Sequence, residues 1–136
     1  MDEVERLLPN GFHDAILRRL SVDYEARVLR LEIEFWIGDM GEERRDIYRR
    51  GRVTVMGLGF LIIDNPCNGD GPFIGKLGID GGAGDPETSM VPLAPPEIGA
   101  FRYWLFVDEW NGFIRFAGQS AGLEWLGDEM DRRKTG

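Results

Sequence analysis

The chain has 136 residues, a formal net charge of −8, one histidine and one cysteine. That length suits a single domain with a real core, and the charge argues against general nucleic-acid binding, which is driven by neutralising phosphates with Lys and Arg. Cys67 alone forms no internal disulfide, the longest apolar run (55–63) is too short to span a bilayer, and Asp2, Glu3 and Glu5 have the wrong sign for a secretory signal, so the expectation is a cytoplasmic protein without membrane contact.

In chain order, residues 1–12 predict one or two helical turns, with Asp2 as N-cap and Pro9-Asn10-Gly11 as the stop. Residues 15–24 alternate: Ile16, Leu20, Val22 and Tyr24 share one face, and Leu17, Arg19, Ser21 and Asp23 the other. Arg18 interrupts the pattern, and Glu25-Ala26 reads as a tight turn. Residues 28–37 alternate most cleanly, with Leu29, Leu31, Ile33, Phe35 and Ile37 facing in and Arg30, Glu32, Glu34 and Trp36 facing out. A helix would scatter those apolar residues around its circumference, so period 2 decides for a strand. A further strand over 47–56 sets Val53 and Val55 against Arg50, Arg52 and Thr54. The basic cluster Arg44, Arg45, Arg49, Arg50 and Arg52 is interleaved with Glu42, Glu43 and Asp46. Pairing with Glu32 and Glu34 across the sheet is therefore expected before an anion patch. Gly57-Leu58-Gly59-Phe60 suggests a bulge or close packing in a β run ending at Ile63.

The character changes over 62–100. This segment holds six of the seven prolines, and its acids Asp64, Asp70, Asp80, Asp85, Glu87 and Glu97 stand against Lys76 alone. Only 73–79 looks able to form a strand. A long irregular connection in a small domain is usually functional or mobile, which makes this stretch the expected working surface. The aromatic ribbon 101–119 follows. Asn111-Gly112 between alternating runs predicts a two-residue type I′ turn, because both central residues need positive φ. That turn would pair Trp110 with Phe113, Asp108 with Arg115, Phe106 with Ala117, Val107 with Phe116 and Glu109 with Ile114. Tyr103, Leu105, Val107, Ile114 and Phe116 form the greasier face and are expected inside. Residues 121–125 read as an edge strand and 128–136 as a frayed charged tail.

Few constellations carry chemistry. A zinc site of His and Cys needs more than His13 and Cys67, and no serine sits in a Gly-x-Ser-x-Gly elbow. His13-Asp14 lacks the further histidines of a metal-dependent phosphohydrolase; His13 is expected to pack at the strand entrance, where it can still act as a pH-sensitive group. In Asp80-Gly81-Gly82-Ala83-Gly84-Asp85-Pro86-Glu87, the oxygens of Asp80, Asp85 and Glu87 are candidate ligands for a divalent cation, although a solvated turn is the expected state. Asp64-Asn65-Pro66 reads as a turn. Trp104, Phe106, Trp110 and Phe113 are either a second core layer or an aromatic anchor for a partner, with Trp110 expected to be partly exposed beside its turn.

The order His13-Asp14-Ala15, Tyr48-Arg49-Arg50-Gly51-Arg52, Ile63-Asp64-Asn65-Pro66, Ile79-Asp80-Gly81-Gly82, Trp110-Asn111-Gly112-Phe113 and Leu123-Glu124-Trp125 resembles a family of small bacterial proteins of uncharacterised function. More distantly, the His-Asp-Ala start followed by a β-hairpin is similar to immunity proteins that neutralise bacterial toxins, which work by surface docking. Neither resemblance implies a catalytic residue.

The expectation is one mainly β domain: an antiparallel curved sheet or small open barrel of about six to eight strands with one or two short helices, or failing that an α+β domain. The leading functional reading is a non-catalytic acidic interaction module, immunity-like, that binds a basic protein partner through His13, Asp14, Asp64, Asn65, Asp80, Asp85 and Trp110, without cofactor or nucleic acid. The competing reading is an enzyme or small-ligand binder that holds a divalent cation with His13 and Asp14, Asp64 or Asp80. A homo-oligomer joined through strand edges is the third.

Overall fold

The alternating segments become strands, and their apolar faces meet in one core. A computed structural model describes residues 1–41, 43–64, 77–84 and 99–132. Helix α1 (Asp2–Arg6) precedes β1 (Ala15–Asp23), β2 (Val28–Trp36), β3 (Ile47–Met56), β4 (Phe60–Ile63), β5 (Leu77–Ala83), β6 (Phe101–Val107), β7 (Gly112–Gly118), β8 (Ser120–Trp125) and β9 (Met130–Asp131). These nine described strands make one antiparallel sheet in the order β4-β7-β6-β5-β1-β2-β3-β8, with β9 alongside β3. The sheet is open, so the curved-sheet expectation holds and barrel closure does not occur.

The sheet curls about a single cluster that includes Leu29, Leu31, Ile33 and Phe35 of β2, Val53 and Val55 of β3, and Tyr103, Leu105, Val107, Ile114 and Phe116 of the aromatic ribbon. Full burial of such side chains stabilises by about 2 kcal/mol each. Helix α1 seals one side: Val4 and Leu8 join the cluster, and the Tyr103 hydroxyl donates to Glu5 Oε1 at 2.5 Å. Burial and the Glu5 hydrogen bond together push the Tyr103 phenol well above its ordinary pKa. The N-cap is Met1, not Asp2, and no side chain caps the helix. Five residues are too few to stand alone, so the buried face of α1 holds it in place.

The register of β1 corrects the reading by alternation. It pairs with β2 from Ile16 opposite Glu34 to Asp23 opposite Val28, with a shift between Leu17 and Arg19. Arg18 is the extra residue of a β-bulge, which inverts side-chain parity beyond it. Ala15 and Leu17 therefore enter the core before the bulge, and Leu20 and Val22 pack against it afterwards. Strict alternation would put Leu17 on the face opposite Leu20 and Val22. Arg18 Nε donates to Glu34 Oε1 at 3.0 Å, Arg50 Nη2 donates to the same oxygen at 3.0 Å, and Arg132 reaches Oε2. The Glu34 side chain is only 5% exposed, a position tolerable for a carboxylate because it is paired and hydrogen-bonded. The expected cross-strand pairing of Arg50 and Arg52 with Glu34 and Glu32 is present.

The ribbon keeps its inner face but not its turn. Val107 pairs with Gly112, Phe106 with Phe113, Leu105 with Ile114 and Tyr103 with Phe116. Four residues, Asp108 to Asn111, span the loop; the Trp110 amide donates a hydrogen bond to the Val107 carbonyl and the Asn111 amide to that of Asp108. Asn111 takes φ +51° and Gly112 is already in the strand, so only one of the two residues supplies the left-handed step. The wider loop lets Trp110 fold back into the core, where it is 4% exposed. The β1–β2 connection is likewise four residues, with Arg27 at φ +56°. The expected strand over 73–79 appears as β5, later by four residues at its end, while 73–76 lie outside the described residues. The tail is not frayed throughout, since β9 pairs Met130 with Tyr48 and Asp131 with Ile47.

At one corner two links run side by side. Residues 57–59 join β3 to β4, and Gln119 joins β7 to β8. The Gly59 amide donates to the Ala117 carbonyl at 2.8 Å and the Gln119 amide to that of Met56 at 2.9 Å. Gly118 is required here, because a Cβ would lie 2.4 Å from Val55 Cγ1.

Glu34→Gln removes the charge on which three guanidiniums converge. The expected loss is about 3 kcal/mol, the scale of breaking a buried ion pair. It is read as a lower urea midpoint at unchanged slope; an unchanged midpoint would mean that the three cations do not depend on the carboxylate.

Candidate functional site

Because the inner face is consumed by the core, the side chains available to a ligand lie on the outer face. Three zones divide it. Over β6 and β7 it is aromatic, across β1 and β5 acidic, and over β1, β2 and β3 rich in arginine.

The acidic zone contains most of the residues that the sequence singles out. His13 and Asp14 lie in the turn before β1, where Phe12 and Ala15 are buried and His13 and Asp14 exposed. Asp14 adopts φ +55°, a left-handed conformation that short polar residues tolerate best. This kink holds the apolar neighbours inward while both polar side chains face solvent. His13 Nδ1 is 3.1 Å from Asp80 Oδ2, and Nε2 is 3.4 Å from Asp14 Oδ2. The imidazole stands edge-on to Trp36, with ring centroids 6.0 Å apart. The hydrogen bond that the ring donates to Asp80 raises the His13 pKa; desolvation opposes it, and the charges of Asp14 and Asp80 reinforce it.

Asp80 belongs to β5. Asp80, Gly81, Gly82 and Ala83 pair with Phe106, Leu105, Trp104 and Tyr103, so this half of the glycine-rich stretch is strand and not turn, while 85–87 lie outside the described residues. The row of acids extends to Asp108, whose carboxyl is pushed up by partial burial and then by Glu109, Asp80 and Asp14. Glu109 Oε2 accepts the Gly78 amide at 2.9 Å, and the Asp108 amide donates to the Gly78 carbonyl at 2.9 Å, which fixes the loop against β5. On the far side, burial followed by Asp14 and Asp46 raises the Tyr48 phenol.

Of the candidate residues, the fold thus brings together His13, Asp14 and Asp80. Asp64 is elsewhere: Oδ1 accepts from Arg115 Nη2 at 2.6 Å and Oδ2 from the Phe113 amide at 2.9 Å, which ties the end of β4 to β7. Trp110 is a core residue and offers no exposed anchor at the turn. Asn65, Asp85 and Glu87 lie outside the described residues. Asp80 and Asp14 approach opposite nitrogens of the ring and do not converge on one point. Among the described residues no group of three His, Cys, Asp or Glu side chains is placed to hold a metal ion.

The aromatic zone borders the acids directly. Trp104, Phe106 and Phe113 are half-buried on the outer face. Phe113 is 5.1 Å from Phe106 and 5.6 Å from Trp104 between centroids. Trp104 lies over Gly82, where a Cβ would come within 2.4 Å of its ring. The glycine is thus a seat for the indole, a role that its place in a glycine-rich run concealed. Nothing local in the sequence marks Asp108 and Glu109 as members of the acidic zone, since only tertiary pairing brings the β6–β7 loop to β5.

No family model, curated protein or solved structure matches this chain.

Asp80→Asn removes the main cause of the raised His13 pKa, so an NMR titration is expected to move the imidazole down toward its ordinary value. In the wild type the His13–Asp80 interaction contributes stability below the unfolded-state pKa, and this is lost as pH rises through the higher folded value; the variant flattens that window. Asp108→Asn has the opposite use. A carboxyl raised on folding opposes the folded state once ionised, so this variant is expected to raise Tm at neutral pH and to gain nothing below the acid range, as calorimetry at two pH values would report.

Proposed function

We propose that this chain is a non-catalytic interaction module that docks on a basic protein surface, in the manner of an immunity-type inhibitor. One observation carries the reading: three half-buried aromatic rings on the outer face abut a row of carboxylates formed by Asp14, Asp80 and Asp108. Asp80 stands directly across from Phe106, and Gly82 leaves Trp104 flat against the sheet. An arginine side chain suits such a border, because its guanidinium stacks on aromatic faces while its fork pairs with a carboxylate. Aromatic residues provide the buried anchor of an interface, and surrounding acids provide orientation and approach rate. The net charge of −8 adds long-range attraction for a basic partner.

The rigidity of the platform favours docking without rearrangement. Asp80 on β5 and the rings on β6 and β7 sit on strands hydrogen-bonded to each other, and the Asp108 loop is tied to Gly78 of β5, so the rings and these carboxylates keep their spacing as a partner arrives.

The test is capture of a partner from cell extract by the immobilised chain, followed by identification and direct titration. Trp104→Ala is expected to weaken the purified complex by at least about tenfold, as for an interface anchor. Asp80→Lys combined with Asp108→Lys is expected to abolish capture, and raised salt to slow association. Wild-type affinity in both variants, with their fold intact by circular dichroism, would overturn the reading.

A further inference from the structure

The third zone of the outer face points to a separate site. Arg19 and Ser21 on β1 stand opposite Glu32 and Arg30 on β2, and Arg30 and Glu32 stand opposite Thr54 and Arg52 on β3. Arg30 is therefore diagonal to both Arg19 and Arg52, and all three project from one side of the sheet. Together with Ser21 and Glu32 they line a shallow groove of about 290 Å³. Most arginines of this chain are already engaged. Arg18, Arg50 and Arg132 meet Glu34, Arg49 lies over Trp125 and binds the Gly127 carbonyl, and Arg115 holds Asp64. Arg52 Nη2 is bound to Glu32 Oε1 at 3.0 Å, which neutralises both. Arg19 and Arg30 have no ion-pair or hydrogen-bond partner among the described residues.

Two unpaired like charges held close on a rigid sheet repel each other. The one carboxylate lining the groove, that of Glu32, is taken by Arg52, and among the described residues no other lines it. We infer that this groove binds a phosphate dianion, either free or as a phosphomonoester, through Arg19, Arg30, Arg52 and the Ser21 hydroxyl. Arg52 is already engaged by Glu32 at 3.0 Å and lies 3.8 Å from Glu124, so the two charges offered to a dianion are those of Arg19 and Arg30. The chemistry fits. Guanidinium forks bind phosphate oxygens bidentately, and a serine hydroxyl donates to a third oxygen. Three adjacent strands fix the spacing of the backbone positions from which the side chains rise. This site lies apart from the aromatic and acidic border and does not depend on the docking reading.

The experiment is an isothermal titration of the full chain with inorganic phosphate and with O-phosphoserine at pH 7.5, against sodium chloride at matched ionic strength. Saturable binding of one or both phosphates, with none in chloride, is the expected result; tighter binding of O-phosphoserine assigns a monoester, and tighter binding of inorganic phosphate assigns free phosphate. Arg19→Ala and Arg30→Ala are each expected to weaken binding by about tenfold or more, the scale of one charge-assisted hydrogen bond. Both side chains are exposed and unpaired, so the fold is expected to survive, as circular dichroism would verify. Arg6→Ala removes the same charge from α1 and is expected to leave binding unchanged. The inference is overturned if phosphate does not saturate, if chloride reproduces the heat, or if Arg6→Ala weakens binding as much as the groove variants do.

Discussion

The architecture turns on one inserted residue. At Arg18 the first strand gains a position that its partner lacks, and everything beyond that point changes face. Without the insertion, a leucine on one side of it or the other would be left in water. With it, Leu17 and Leu20 both serve the core, and the arginine itself is released to the outside, where Glu34 is buried. A carboxylate in that position needs cations around it, and the bulge provides the one that straight pairing between β1 and β2 would not. The same irregularity thus satisfies the apolar interior and the ionic exterior.

That division of labour explains how a chain of net charge −8 carries such contrasting surfaces. The inner side is spent entirely on packing, so polarity is sorted laterally across the outer side. Neighbouring strands place arginine and glutamate in register over β2 and β3, where they largely cancel. Toward β5 the cations stop and the acids gather beside His13. Beyond them the rings of β6 and β7 take over. A histidine at the boundary between zones senses its acidic neighbours more than its own burial, which is the reason its proton is held more tightly.

Much of the scaffold was legible in the residues. The alternation over 28–37 and 47–56 identified β2 and β3 and the ion pairs between them, and the greasy side of the aromatic ribbon was assigned correctly. Three errors share one cause, the assumption of ideal local geometry. Alternation cannot register an extra residue, so Leu17 was assigned to the wrong face. Asn111-Gly112 promised the tightest turn, whereas burial of Trp110 rewarded a longer one. Glycines at 81 and 82 suggested a curl, but here they thin the strand so that Leu105 and Trp104 can lie across it. Of the site, His13 and Asp14 were adjacent in sequence and easily noticed. Their meeting with Asp80, and with Asp108 beyond it, depends on β1, β5 and β6 lying side by side, which no local pattern encodes.

The corner at Gly118 has a mechanical meaning. By hydrogen bonding, the sheet stops at β4 on one margin and at β8 on the other. By covalent connectivity it does not stop there, since the chain steps from β3 to β4 and from β7 to β8 across the same gap. Pulling those margins apart at that corner would strain peptide backbone, whereas parting them farther along would expose only side chains. The curl is therefore cinched at one end like a pouch on a drawstring, and the polymer itself is the cord.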